Sequence, residues 1–138
     1  MKKPDQLAQL FKAVSDPTRL RLLNLLKLGR ICVCDLQTVL KIPQSTVSRH
    51  LAGLRHAGLV VDYRNGNKII YSLATAATPQ IAAIYDVLNK SCTRDEVMRA
   101  DGTRLKNAVR TGKCCLDPYP VAMCVRVFTE TTTFERHQ

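Results

Sequence analysis

The chain has 138 residues, which is room for one compact domain with an appendage rather than for several domains. Its 46% hydrophobic and 23% charged residues match an ordinary globular protein, and no apolar run approaches the roughly 20 residues that a membrane span requires. A net charge of +10, from 21 basic and 11 acidic residues, makes a polyanion the leading candidate partner, with nucleic acid ahead of a membrane surface. The opening Met1-Lys2-Lys3-Pro4-Asp5 has no apolar signal core, so a cytoplasmic location is expected. Thiols are kept reduced there, and the six cysteines read as ligands or redox groups rather than as disulfides.

Taken in chain order, Leu7, Leu10, Phe11 and Val14 recur at helical spacing and the pattern stops at Ser15-Asp16-Pro17. Asp16 before Pro17 is an N-cap followed by proline at the first helical position, and a leucine-rich second helix then runs to Gly29. A short third helix is predicted over Asp35 to Lys41, with Leu36, Val39 and Leu40 inward. Ile42-Pro43 connects it to a fourth helix beginning near Gln44, on which Val47, Leu51 and Leu54 share one stripe and Ser45, Arg49, Ala52 and His56 turn the other way. After Gly58, two β-prone runs flank an Asn65-Gly66 turn, giving a hairpin. Pro79 opens a last helix through Ile81, Ile84, Tyr85 and Leu88 toward Val97, long enough to serve dimerisation.

These elements predict a mainly α fold with a small β-hairpin: a winged helix-turn-helix of about five helices and a two-stranded wing. Residues 1–100 form the DNA-binding and dimerisation domain, and 101–138 a partly flexible tail with a Cys pair. A major groove admits one α-helix, and small polar residues let it approach while Arg reaches guanine edges or phosphates. The expected DNA contacts on the fourth helix are Gln44, Ser45, Thr46, Ser48, Arg49 and His50. Arg55 and His56 are placed nearer phosphates, and Arg64 and Lys68 on the wing.

From about Leu10 to Leu73 the sequence resembles the ArsR/SmtB family of metal-sensing repressors, especially its arsenic-responsive members. Four motifs carry the resemblance: Asp16-Pro17-Thr18-Arg19-Leu20, Cys32-Val33-Cys34-Asp35-Leu36, Ser45-Thr46-Val47-Ser48-Arg49-His50-Leu51, and Leu54-Arg55-His56-Ala57-Gly58-Leu59-Val60. It implies a homodimer, joined through the first and last helices, that binds a palindromic operator and leaves it when metal binds. DNA binding itself needs no cofactor on this reading. As(III) or Sb(III) is the implied inducer.

Cys32 and Cys34 fall where that family places thiolate ligands. A helix N-terminus with Arg30 nearby is expected to lower a thiol pKa. Residues two apart stand about 200° apart on a regular helix, so both sulfurs reach one ion only if this turn is extended or distorts, and distortion would disturb the helix-turn-helix. The arsenic-sensing pattern often has a third Cys three residues after the second, where this chain has Gln37. The third sulfur then comes from an exogenous thiol or from the vicinal pair Cys114 and Cys115, with Cys92 and Cys124 behind them. Some arsenic-responsive relatives use such a C-terminal pair instead. Between Pro79 and Ala100 there is no His for a zinc-type site, so thiolate coordination points to arsenic or antimony first, with cadmium, lead or bismuth behind.

Two other readings are set beside this one. The same fold could use its cysteines as a redox switch. A thiol enzyme built on Cys114-Cys115 is disfavoured, because Lys113 to Pro118 has no glycine-rich anion cradle.

Overall fold

A computed structural model of the chain describes residues 3–114 and 117–118. Helix α1 (Lys3–Val14) is followed by α2 (Pro17–Leu26). The Asp16 carboxylate accepts the amides of Thr18 at 2.7 Å and Arg19 at 3.2 Å, and Pro17, with no amide to satisfy, takes the first helical position. Leu22, Leu23, Leu25 and Leu26 are all buried, which makes α2 the central helix of the core. The helix stops at Leu26, earlier than the Gly29 expected from the leucine run, because Gly29–Cys32 forms a strand, β1.

Strand β1 runs directly into α3 (Val33–Leu40), and α4 (Gln44–His56) follows after a short turn. Lys41 makes that turn with φ 56°, which brings its amide to the Gln37 carbonyl at 2.8 Å and closes α3. Val47, Leu51 and Leu54 are buried as the stripe required, which fixes the rotation of α4 about its axis.

Strands β2 (Val60–Asn65) and β3 (Lys68–Leu73) form the hairpin. Asn65 pairs with Lys68, so the loop is Gly66-Asn67, one residue later than the expected Asn65-Gly66 turn. Gly66, at φ 62°, takes the first central position, where the tight hairpin turn needs a residue tolerant of positive φ. The wing is larger than the two strands expected, since β3 also pairs antiparallel with β1, Ile31 opposite Tyr71 and Cys32 opposite Ile70. A two-residue strand, β4 (Asp117–Pro118), lies on the other side of β1, giving the order β2-β3-β1-β4.

The single helix expected from Pro79 toward Val97 is two helices, α5 (Pro79–Cys92) and α6 (Glu96–Arg110). The break has a local cause: Asp95 accepts the Met98 amide at 3.0 Å and starts a new helix. Helix α6 continues through residues 100 and 101, where the edge of the folded unit was expected, and folds back on α2. Asn24 Nδ2 donates to the Met98 carbonyl at 2.9 Å, and Leu105 is fully buried. The Tyr85 hydroxyl of α5 lies 2.8 Å from the carbonyls of both Leu59 and Ala74, which face each other at the base of the wing. Among the described residues no helix is long and apolar enough to cross a membrane.

Candidate nucleic-acid interface and thiol site

With Val47, Leu51 and Leu54 turned inward, the other face of α4 carries Gln44, Ser45, Ser48, Arg49, Arg55 and His56, all exposed, while Thr46 and His50 are half-buried. The hairpin places Arg64 and Lys68 beside its tip, both exposed, with Arg64 paired to Ile69 and Lys68 to Asn65. Helix and wing thus present the predicted cations and small polar side chains outward on adjoining elements. Two of them are engaged within the chain. Arg55 Nη1 lies 2.8 Å from Asp62 Oδ2, an exposed ion pair that ties the last turn of α4 to β2. His50 Nδ1 accepts from Arg19 Nε at 3.2 Å, a contact across α2 and α4 that the sequence did not reveal.

The thiol pair sits at the junction of β1 and α3. Cys32 is the N-cap of α3 with extended backbone, φ −75° and ψ 154°, and Cys34 lies in the first turn. The 200° separation of a regular helix therefore does not apply, and the sulfurs need no unwinding to meet. Their Sγ atoms and a carboxylate oxygen of Asp35 all lie within 4.8 Å of one another. Cys34 is exposed, whereas Cys32 and Asp35 are buried, so the cluster opens to solvent through Cys34. Asp35 was not foreseen as part of this group: in the sequence it reads as an ordinary acidic residue in the first turn of a helix.

The expected lowering of the thiol pKa is corrected for Cys32. Burial against the sheet pushes this thiol up to about 12, with its hydrogen bond to Cys34 acting in the same direction. Desolvation at a position only 4% exposed outweighs the lowering by the backbone amide of Asp35 in the first turn of α3.

The other two described cysteines do not join the cluster. Cys114 is buried among core residues at the end of α6, its amide donating to the Ala108 carbonyl at 3.2 Å, so it is not a tail residue. Cys92 is buried at the end of α5. Cys115 and Cys124 lie outside the described residues, and none of the four described cysteines is in a disulfide.

A third feature is an apolar groove between α1 and α5, lined by Leu7, Phe11, Val14, Ile84, Val87 and Leu88 among others. Phe11 and Val87 are 59% and 61% exposed, which is unusual for apolar side chains lining one groove.

Residues 16–61 match the model of the family described as bacterial regulatory protein, arsR family. The chain is 46% identical over 79 residues to the arsenical resistance operon repressor of Escherichia coli (strain K12), covering 56% of this chain and 68% of that protein. It is 35% identical over 109 residues to the arsenical resistance operon repressor of Staphylococcus xylosus, covering 79% of this chain and 96% of that one. Among solved structures, it is similar to the homodimeric winged helix-turn-helix DNA-binding domain Mb0332 of Mycobacterium bovis, with a TM-score of 0.56 at 27% identity over 67% of this chain and 83% of that one.

Proposed function

Because the chain belongs to the arsR family of bacterial regulatory proteins, which are DNA-binding repressors and not enzymes, we propose that it is a homodimeric, cytoplasmic, metalloid-responsive repressor. It binds a palindromic operator and leaves it when As(III) or Sb(III) is captured at Cys32 and Cys34. The observation that carries this reading is the cluster of Cys32 Sγ, Cys34 Sγ and an Asp35 oxygen within 4.8 Å, one short helix ahead of α4.

The donor set fits a soft ligand: two sulfurs supply the affinity, and a buried carboxylate or an exogenous thiol completes a trigonal set. Arsenous acid is a neutral hydroxide in neutral water, so each thiol proton leaves with one of its hydroxyl groups as water while a sulfur–arsenic bond replaces an oxygen–arsenic bond. A protonated Cys32 is therefore compatible with capture. Cys114 and Cys115 remain in this proposal as a second set of donors or as the source of a third sulfur in a shared site.

The position of the cluster supplies the coupling. Cys32 is paired with Ile70 of the wing strand β3, and α3 packs on α4, so both DNA-facing elements are attached to the joint that the ligand grips. A difference of a few kcal/mol between the free and DNA-bound arrangements suffices to change occupancy by orders of magnitude. The apolar groove between α1 and α5 supports the dimer, since a second copy would cover Phe11 and Val87.

The test is titration of an operator complex with arsenite in reducing buffer, followed by fluorescence anisotropy. Wild type is expected to release DNA, and Cys32→Ser/Cys34→Ser to retain it at the same arsenite concentration. Release by that double variant would move sensing to Cys114 and Cys115, and a Cys114→Ser/Cys115→Ser variant checks this directly. Release only with an oxidant, reversed by a plain reductant, would replace metalloid capture by a thiol redox switch.

A further inference from the structure

Arg19 is placed in a way that the helix-turn-helix alone does not require. It stands in the first turn of α2, yet its guanidinium lies across α4 at Gly53. A Cβ added at Gly53 would stand 2.7 Å from Nη2, 2.8 Å from Cζ and 2.9 Å from Nη1 of Arg19, closer than Cβ contacts ordinarily come. The glycine thus provides the slot in which the guanidinium lies. From that slot Nε donates to His50 Nδ1 at 3.2 Å, and Nη1 reaches the Ala13 carbonyl of α1 at 3.4 Å. One side chain joins α1, α2 and α4.

We propose that Arg19 is a positioning residue for DNA reading: seated at Gly53, it fixes α4 against α2 and sets His50 as an Nε2–H donor toward the duplex. This rests on the reading of α4 as the DNA-reading helix. A neutral imidazole has one donor and one acceptor nitrogen, and a nitrogen that accepts from a guanidinium, which is donor only, cannot itself carry the proton. The proton of neutral His50 is therefore on Nε2. The ring then offers DNA a donor of fixed identity, suited to an acceptor such as purine N7 or a phosphate oxygen. Without Arg19 both tautomers are open to His50, and the identity of the group it offers DNA is no longer fixed.

Gly53→Ala tests this without altering charge. Alanine is a better helix former than glycine, but its Cβ is accommodated only if the flexible end of Arg19 moves aside, so a purely structural account of Gly53 expects DNA binding to change only as far as thermal stability does. The proposal expects a variant still folded at the assay temperature, with operator affinity lowered roughly tenfold, the scale of one lost directional contact and more than any change in stability accounts for. An equal loss on random-sequence DNA marks the acceptor as phosphate, and a loss confined to the operator marks it as a base; both support the proposal. The tautomer is read independently by long-range proton–nitrogen NMR of the imidazoles in the free wild-type protein. An Nε2–H signature for His50 that becomes mixed in Arg19→Met supports the assignment. An Nδ1–H signature in the wild type, or wild-type operator affinity in Gly53→Ala, overturns it. Failure of the wild type itself to bind any operator would defeat the functional reading, and the NMR result would still decide the Arg19–His50 arrangement.

Discussion

Arg21 on α2 and Asp101 on α6 form a two-point ion pair: Nε lies 2.8 Å from Oδ2 and Nη2 lies 3.0 Å from Oδ1. Asp101 is fully buried and also holds Arg104, while Arg21 remains partly exposed, its guanidinium held more strongly charged by the bond to Asp101. This pair makes α6 part of the core structure.

Removing the carboxylate is expected to leave Arg21 without its partner in a half-buried setting. Asp101→Ala is predicted to lower unfolding free energy by about 3 kcal/mol, the lower end of the range for breaking a buried pair on one side. Arg104→Ala, which removes the more exposed cation, is predicted to cost less than about 1 kcal/mol. Urea unfolding followed by circular dichroism separates them. Equal small losses would mean that α6 is only loosely attached.

The groove between α1 and α5 gives a second prediction. Phe11→Glu and Val87→Glu each place a charge where two apolar surfaces would meet, and neither residue is needed for the fold of one chain, being largely exposed. Both variants are expected to fold, to sediment as monomers at micromolar concentration, and to lose operator binding because a single half-site contact is weak. A variant that remains a dimer would place the interface elsewhere.

The elements differ in how far the sequence revealed them. Helix α4 was legible because Val47, Leu51 and Leu54 keep helical spacing just after Pro43. Strand β1 was not, because its four residues, Gly29–Cys32, are too short to show alternation and three of them are buried. The break between α5 and α6 was hidden by Val97, which continues an apolar spacing across a helix end that only the Asp95 cap announces. At the thiol site, the Cys32-Cys34 spacing identified the ligands, but the ionisation of Cys32 depends on its burial against β3, a contact about 38 positions away in the chain. Arg19 reaching His50 is equally non-local, and no sequence signal marks it.

For the DNA face, Arg49 is exposed on α4 with no acidic side chain in the helix to compete for it, whereas Arg64 and Lys68 stand at the tip of the wing. Arg49→Ala is expected to weaken operator binding about tenfold to a hundredfold and to narrow the gap between operator and random DNA. Arg64→Gln/Lys68→Gln is expected to weaken both kinds of DNA alike and to make the logarithmic salt dependence shallower by about 0.9 per lost phosphate contact. Binding titrations at several salt concentrations provide both readouts. An unchanged salt slope in the double variant would remove the wing from the interface.

The raised pKa of Cys32 yields a prediction about which ligand the site prefers at which pH. Burial favours the neutral thiol, so at neutral pH Cys32 carries its proton. Capture of arsenous acid releases water and no net proton from the thiols, so its apparent affinity is expected to stay within about threefold between about pH 6.5 and 8.5. Capture of cadmium must expel that proton, and its affinity is expected to rise about tenfold per pH unit for each proton released. Asp35→Asn, which keeps the side chain's size and removes its charge, is expected to weaken cadmium more than arsenite, because a divalent cation gains more from a nearby carboxylate than a neutral hydroxide does. The same shift has a sign for stability: a neutral buried thiol contributes fully below pH 9 and its contribution is lost as pH rises toward about 12. Alkaline unfolding is therefore expected to be shallower in Cys32→Ala than in wild type. A steep pH dependence for arsenite together with a flat one for cadmium would contradict the protonated resting state, and with it the account of how Cys32 and Cys34 discriminate between the two.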